Sequence, residues 1–153
     1  MVDFTEVLGK KATEVEKPKP RPVGTYLAVV QGLPKQRKVT PKDGGEDMPV
    51  IAFTLKLMSA LPDVDSEKLQ DHPDISTWGS MTHDMFLHTE GGVYAFRQFL
   101  TNTLGIEEGD KSLGEMVTEA PGKQLLVKVK HEPYINRQNE ADISTRVESL
   151  AHV

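Results

Sequence analysis

The order of strand-like and helix-like segments constrains the fold of this chain more than any other feature. Residues 24–31 are rich in β-branched and aromatic side chains and begin at a glycine, which predicts a first strand. In residues 50–57 the large apolar side chains recur at every second position, as in a strand with one buried face: Ile51, Phe53, Leu55 and Leu57. Three further strands are predicted by similar patterns, over residues 75–88, 125–130 and 143–153.

A helix is predicted between the third and fourth strands. Thr89 is a suitable N-cap, and Gly105 stands where a left-handed residue would end the helix. Between them the apolar residues form one stripe: Val93, Phe96, Leu100 and Leu104. A shorter helix should begin at the capping box of residues 112–115. Five strands with a helix after the third is the connectivity of the OB-fold. The predicted fold class is therefore mainly β (α+β), a five-stranded OB-like barrel with one or two helices.

The amino-terminal segment has a different character. Residues 3–16 carry an apolar spacing that a short amphipathic helix, or an arm docking on a neighbour, could use. Residues 17–22, KPKPRP, form a stiff basic spacer because alternate prolines favour extended backbone. The chain is therefore predicted to have two parts: an amino-terminal arm over residues 1–22 and an OB-like barrel domain over residues 23–153. The arm predicts a homo-oligomer. Residues 32–49 are predicted as a long loop, or as a hairpin extension with Val39 near its tip.

Composition excludes several classes of protein. The chain has 153 residues and no cysteine, so disulfides, thiol catalysis and thiolate metal sites are ruled out. No apolar run approaches the roughly 18 residues of a membrane span. The first residues lack the basic and apolar regions of a signal peptide, which predicts a cytoplasmic protein with no membrane partner.

The net charge of −5 is distributed unevenly along the sequence. Between Lys10 and Lys42 nine basic residues face two acidic ones, whereas between Asp43 and Glu119 fifteen acidic residues face four basic ones. Such polarity is an argument about local potential and partners. Two interpretations stay open: a polyanion-binding region near the amino terminus, or two sets of solvated loops.

Four segments, which span about residues 20 to 150, occur in a characteristic order and spacing: residues 21–26 (RPVGTY), 48–55 (MPVIAFTL), 94–106 and 121–124 (PGKQ). In this order and spacing the chain resembles a family of phage-encoded single-stranded DNA-binding proteins from replication and recombination modules. The resemblance implies an OB-like barrel and a role in DNA metabolism. The chain departs from the family pattern in a long acidic insertion over residues 59–74.

The OB-fold connectivity directs attention to two loops, because strands 2 and 3 and the loops joining strands 1–2 and 4–5 usually bind the ligand. Single-stranded nucleic acid needs cations along its phosphates and flat side chains under its bases. The first loop offers four cations: Lys35, Arg37, Lys38 and Lys42. The second offers Tyr134 and Arg137, and Trp78 is the candidate stacking residue on strand 3. Trp78 has a competing interpretation as a packing residue at the barrel edge.

Catalytic and metal chemistry find little support in the sequence. His83 and His88 are five residues apart, which on a strand places them on opposite faces. The acidic run that begins at Asp63 lacks the glycine that a calcium loop requires at its sixth position, where Lys68 stands. The chain is therefore predicted to be non-enzymatic and to use no metal or cofactor.

Two functions follow from these patterns. The first is a single-stranded DNA-binding protein of a phage replication or recombination system, acting in the host cytoplasm through loop cations and a few stacking aromatic residues. The alternative is a structural protein of the phage virion, a capsid decoration or cement protein that uses the arm for contacts with capsid subunits. The first predicts that folding brings the region of Arg37 beside that of Tyr134 to form a positive trough.

Overall fold

The structure, a computed structural model, describes residues 4–14 and 19–153; predictions for residues 1–3 and 15–18, including part of the spacer, lie outside this range. Six strands form one antiparallel sheet: β1 (Gly24–Val30), β2 (Lys35–Val39), β3 (Met48–Ala60), β4 (Met81–Phe86), β5 (Gln124–Ile135) and β6 (Ala141–Ala151). The α-helices are short: α1 (Phe4–Leu8), α2 (Ser66–Gln70), α3 (Glu90–Gln98) and α4 (Leu113–Val117). The protein is thus mainly β with a few helices.

The long strand β3 organises the sheet. Its first half pairs with β2, its second half with β1, and residues 50–55 pair with β4. β1 pairs on its other side with β5, which pairs with β6. β1 and β2 therefore share one edge of β3, and the Gln31 amide bridges the interval between them by donating to the Thr54 carbonyl at 2.8 Å.

Two features differ from the predicted five-stranded barrel. The first is β2, a sixth strand within residues 32–49, where a long loop or a hairpin extension was predicted; the pairing with β3 corresponds to the hairpin extension, with Val39 near its tip. Four of its five residues are exposed, so it has no apolar alternation. Its strand conformation comes from pairing with β3, which runs past β1. The second is an open seam, since no ladder joins β4 to β6 in the part of the chain that the structure describes.

The core lies between the sheet and α3. The alternation predicted for β3 is confirmed, because its four inward side chains are at most 5% exposed. The Phe53 ring is 4.8 Å from that of Phe99 and 6.1 Å from that of Phe96, measured between ring centroids. On the helical stripe Phe96, Leu100 and Leu104 are buried, but Val93 is 38% exposed and does not belong to it.

The two helix N-caps predicted from the sequence are confirmed. The Thr89 hydroxyl accepts a hydrogen bond from the Gly92 amide at 3.0 Å, and the Ser112 hydroxyl accepts one from Glu115 at 3.2 Å. Gly105 has a φ of 70°, as expected for the residue after a helix. The α-helix ends earlier than predicted, at Gln98, and continues as a π-helical turn, Phe99–Thr103.

The predicted bounds of the third, fourth and fifth strands are wrong. The third strand was expected over residues 75–88, but β4 covers only Met81–Phe86. Before β4, Asp74 caps a 3-10 turn, Ile75–Thr77, and these residues do not pair with β3. The polar segment 131–142 was expected as a loop, yet β5 and β6 run through most of it as a hairpin. Only residues 136–140 form the turn, with Asn139 at a φ of 60°.

Candidate nucleic-acid interface

A charged groove follows the open seam between β4 and β6. We call it the seam groove; its volume is about 790 Å³ and these residues line it: Arg21, Ser80, Met81, Thr82, Asp84, Lys130, Glu132, Thr145, Arg146 and Val147. Three of them are cations, and they come from segments more than a hundred residues apart. Two are carboxylates. The groove is therefore lined by a small excess of positive charge in a protein whose net charge is negative.

Arg21 is held in place at one end of the seam groove. Its guanidinium donates to the Gly79 carbonyl at 3.0 Å and lies 5.1 Å from the centre of the Trp78 ring. Its own carbonyl accepts a hydrogen bond from Nε2 of His131 at 2.6 Å, which ties the end of the spacer to β5. Partial burial lowers the pKa of Arg21 from its usual value.

The β5–β6 hairpin supplies one wall of the seam groove. Lys130 lies directly across from Arg146, and both point outward because the inward face is taken by residues such as Val129. Arg146 lies 4.0 Å from the Glu132 carboxylate. Tyr134 shares the outward face of β5, four residues beyond Lys130, and is 44% exposed.

The outer face of β2, β3 and β4 continues the other wall. Arg37 forms an ion pair with Asp84, a residue that lines the seam groove. Lys35 lies two residues from Arg37 on the same face of β2. Phe86 lies across from Val50 on that face and is 40% exposed. This surface therefore combines an exposed aromatic ring with two cations, one of which is paired with a carboxylate.

The predicted stacking residue Trp78 is not available for stacking. It lies outside β4, is 8% exposed, and donates from its indole nitrogen to the Pro73 carbonyl at 3.0 Å. The Tyr26 ring packs edge-on against it at 5.7 Å, and Arg21 covers it. The competing interpretation, a packing residue at the barrel edge, fits this geometry. Burial raises the pKa of the neighbouring Tyr26 to about 12, and its hydroxyl donates to the Pro22 carbonyl.

Fluorescence tests this placement, because Trp78 is the single tryptophan of the chain. We expect its emission to be blue-shifted and weakly quenched by acrylamide in the folded protein, since little of the ring reaches solvent. Unfolding in urea should shift the emission to the red and increase quenching severalfold. Quenching of the native protein as strong as that of the unfolded protein would contradict the buried position.

The other predicted residues lie at different places. Lys38 points to the opposite face of β2 from Arg37, and both line, with Gln36, a mainly apolar cavity that is distinct from the seam groove. Lys42 is exposed in the turn after β2. Arg137 lies in the β5–β6 turn, where it lines a shallow depression together with Tyr134. The predicted trough is therefore only partly reproduced: Arg37 reaches the seam groove through Asp84, whereas Tyr134 and Arg137 lie further along the hairpin.

Four residues of this surface were missed as candidates: Arg21, Phe86, Lys130 and Arg146. The sequence could have indicated two of them, because Lys130 and Arg146 lie at the polar positions of strands with alternating apolar and polar residues and therefore face outward. The convergence of these residues depends on strand register and on the path of the spacer, neither of which is visible in the linear sequence.

The described residues hold no group of three or more His, Asp or Glu side chains that could bind a metal ion. His83 lies on the inward face of β4, where burial lowers its pKa. Among the residues described, no helix has the length and apolar character required to cross a membrane.

Comparison with known proteins yields no family. No protein-family model matches the chain, and no curated protein matches its sequence. Among solved structures, yeast RPA bound to ssDNA aligns with 100% of this chain and 88% of its own chain, at 7% identity and a TM-score of 0.35. A similarity at that TM-score carries no weight for fold or function.

Proposed function

We propose that this protein is a non-enzymatic single-stranded DNA-binding protein built on an open OB-like barrel, and that the strand lies along the seam groove. The observation that carries the proposal is the convergence of Arg21, Lys130 and Arg146 on one open groove beside β4. Cations spaced along a groove are what the phosphates of an extended strand require.

The connectivity supports the same proposal. When β2 is treated as an extension that continues the edge of β1, the remaining strands follow the OB order, and α3 lies between the third and fourth. The face used for binding in that fold corresponds here to the outer face of β3 and β4 with the adjoining loops. Phe86 and Tyr134 are the exposed aromatic side chains of this surface, and each offers a ring for base stacking.

The acidic groups of the surface limit the affinity that this groove can provide. Asp84 is paired with Arg37, and Glu132 lies near Arg146, so the carboxylates offset part of the positive charge. We therefore expect modest affinity and a shallow dependence on salt, because each of the few phosphate contacts adds only about 0.7 to the slope of log affinity against log salt. A place in a phage replication or recombination system, in the host cytoplasm, stays a prediction from the resemblance. Oligomerisation through residues 1–22 and the virion alternative also stay predictions.

A charge-reversal pair tests the groove. Each phosphate contact with a single strand contributes about 0.7 to the slope of log affinity against log salt. Lys130→Glu with Arg146→Glu should therefore flatten the slope for labelled oligothymidine by about 1.4 and weaken binding, as measured by fluorescence anisotropy across a salt series. The neutral pair Lys130→Gln with Arg146→Gln should produce the same flattening without adding carboxylates beside Glu132.

The matched control changes the net charge equally at sites outside the groove. Lys68→Glu with Lys123→Glu alters two exposed lysines, on α2 and in the turn before β5, that do not line the seam groove. This control should keep the slope of the wild-type protein. A groove variant with an unchanged slope, or a control variant that flattens it as much, would remove the seam groove from the binding site.

A further inference from the structure

A second cavity lies directly beside the seam groove, on the side of α3. Its volume is about 490 Å³, within the range typical of small-ligand sites. Val147 lines both cavities, and β4 contributes to both: Thr82 and Asp84 line the seam groove, whereas His83 and Met85 line the second cavity. A strand bound in the seam groove would therefore lie along the edge of this open depression, which we call the helix-side cavity.

The helix-side cavity is an open depression with a mainly apolar surface. Met85, Phe99 and Leu150 line it, together with the ring of His83, which lies 5.4 Å from the Phe99 ring between centroids. Burial lowers the pKa of His83, which favours its neutral form near pH 7. These flat and polarisable side chains are suited to a planar, uncharged group.

Two carboxamides stand at the same cavity. Asn102 donates from its side-chain nitrogen to the Gln98 oxygen at 3.1 Å, and Gln98 donates to the Tyr94 hydroxyl at 2.8 Å. Gln98 is the last residue of α3 and Asn102 lies in the π-helical turn, a rare conformation that occurs often at functional sites. A carboxamide presents a donor and an acceptor side by side, the pattern with which Asn and Gln recognise base edges.

The charge of the residues that line the helix-side cavity favours an uncharged base over a phosphate. Glu148 lines it and lies 3.9 Å from the Lys128 amine, and no lysine or arginine is among its lining residues. A phosphate would therefore find a carboxylate and no cation, whereas an uncharged base would meet apolar surface and amides. The cations lie in the adjoining seam groove.

We propose that the helix-side cavity receives one unstacked nucleobase of the single strand bound in the seam groove and reads its edge through Gln98 and Asn102. This inference rests on the proposed function and adds a site of base preference to it. The seam groove holds the sugar–phosphate backbone, and the base turns inward past Val147.

The test compares oligonucleotides of one base. Wild-type protein is titrated with labelled oligothymidine, oligodeoxyadenosine and oligodeoxycytidine, and the ratios of the three affinities are recorded across a salt series. Gln98→Ala and Asn102→Ala should each change these ratios by about three- to tenfold, the value of one hydrogen bond. The salt slopes should stay unchanged, because the cavity contacts no phosphate. Gln70→Ala, at the exposed end of α2, is the matched control and should change neither quantity.

The outcomes separate the two proposals. Affinity ratios that are the same in wild-type protein and in both cavity variants, with binding retained, overturn the nucleobase site and leave the groove in place. Absence of binding by the wild-type protein overturns the proposed function and this inference with it. Nuclear magnetic resonance tests the site directly. Free deoxyadenosine and thymidine should shift the side-chain amide signals of Gln98 and Asn102. Signals that do not shift at millimolar nucleoside would contradict the nucleobase site.

Discussion

Phe53→Ala is expected to lower the free energy of unfolding by about 3–5 kcal/mol, the cost of removing a fully buried aromatic ring. Phe53 is 0% exposed in the middle of β3 and contacts the rings of both Phe96 and Phe99. Because the stability of a domain is about 5–15 kcal/mol, this loss is a large part of the total. Urea denaturation followed by Trp78 fluorescence measures it.

The matched control is Phe4→Ala, which removes the same ring from α1, where Phe4 is 82% exposed. Its effect should lie within about 0.5 kcal/mol of zero, as for most surface substitutions. If Phe53→Ala fails to fold, Phe53→Leu keeps an apolar side chain at the site and should give a smaller, measurable loss. A change below about 1 kcal/mol for Phe53→Ala would contradict the placement of this ring between β3 and α3.

The sequence predicted best those elements whose pattern reflects their own burial. The period-two alternation around Phe53 located β3, because a strand with one face in the core needs apolar residues at every second position. Thr89 and Ser112 located the starts of α3 and α4, because each side chain satisfies a free amide of its own helix. These signals are local, so a single sequence contains them.

The elements that were missed, or predicted only as one of two alternatives, depend on a partner elsewhere in the chain. β2 is of the second kind: it is a strand because β3 continues past β1 and pairs with it, while its own side chains are mostly polar and exposed. The β5 residues from His131 onward are also exposed, and they were predicted as a loop. Their strand conformation comes from pairing with β6. Pairing of this kind is determined by register and leaves no apolar pattern to read.

The candidate site shows the same division. Arg37 could be predicted as a surface cation from its neighbours, but its pairing with Asp84 follows from the register of β2, β3 and β4. Trp78 was assigned to a strand because the third strand was predicted to begin at residue 75. The 3-10 turn capped by Asp74 instead turns its ring into the core, where Tyr26 and Arg21 cover it.

Gly92→Ala is expected to destabilise the protein by about 1–3 kcal/mol or more, although alanine is the better helix former. Gly92 lies in the first turn of α3, and a methyl group there would stand 2.1 Å from the carbonyl oxygen of Phe86 and 3.2 Å from its carbonyl carbon. Both atoms belong to the backbone at the end of β4, so no side-chain rotation relieves the overlap. Relief requires α3 to move away from β4. Urea denaturation of the variant measures the loss.

The adjacent glycine provides the control that separates this contact from helix propensity. A methyl group on Gly91 would have no heavy atom within 4 Å, and Gly91 lies in the same turn of α3. Gly91→Ala should therefore stabilise the protein, by up to about 1 kcal/mol, because alanine loses less backbone entropy than glycine. The two substitutions are chemically identical and one residue apart, so only the approach of β4 distinguishes them. Equal effects of the same sign at both positions would show that α3 does not begin against the end of β4.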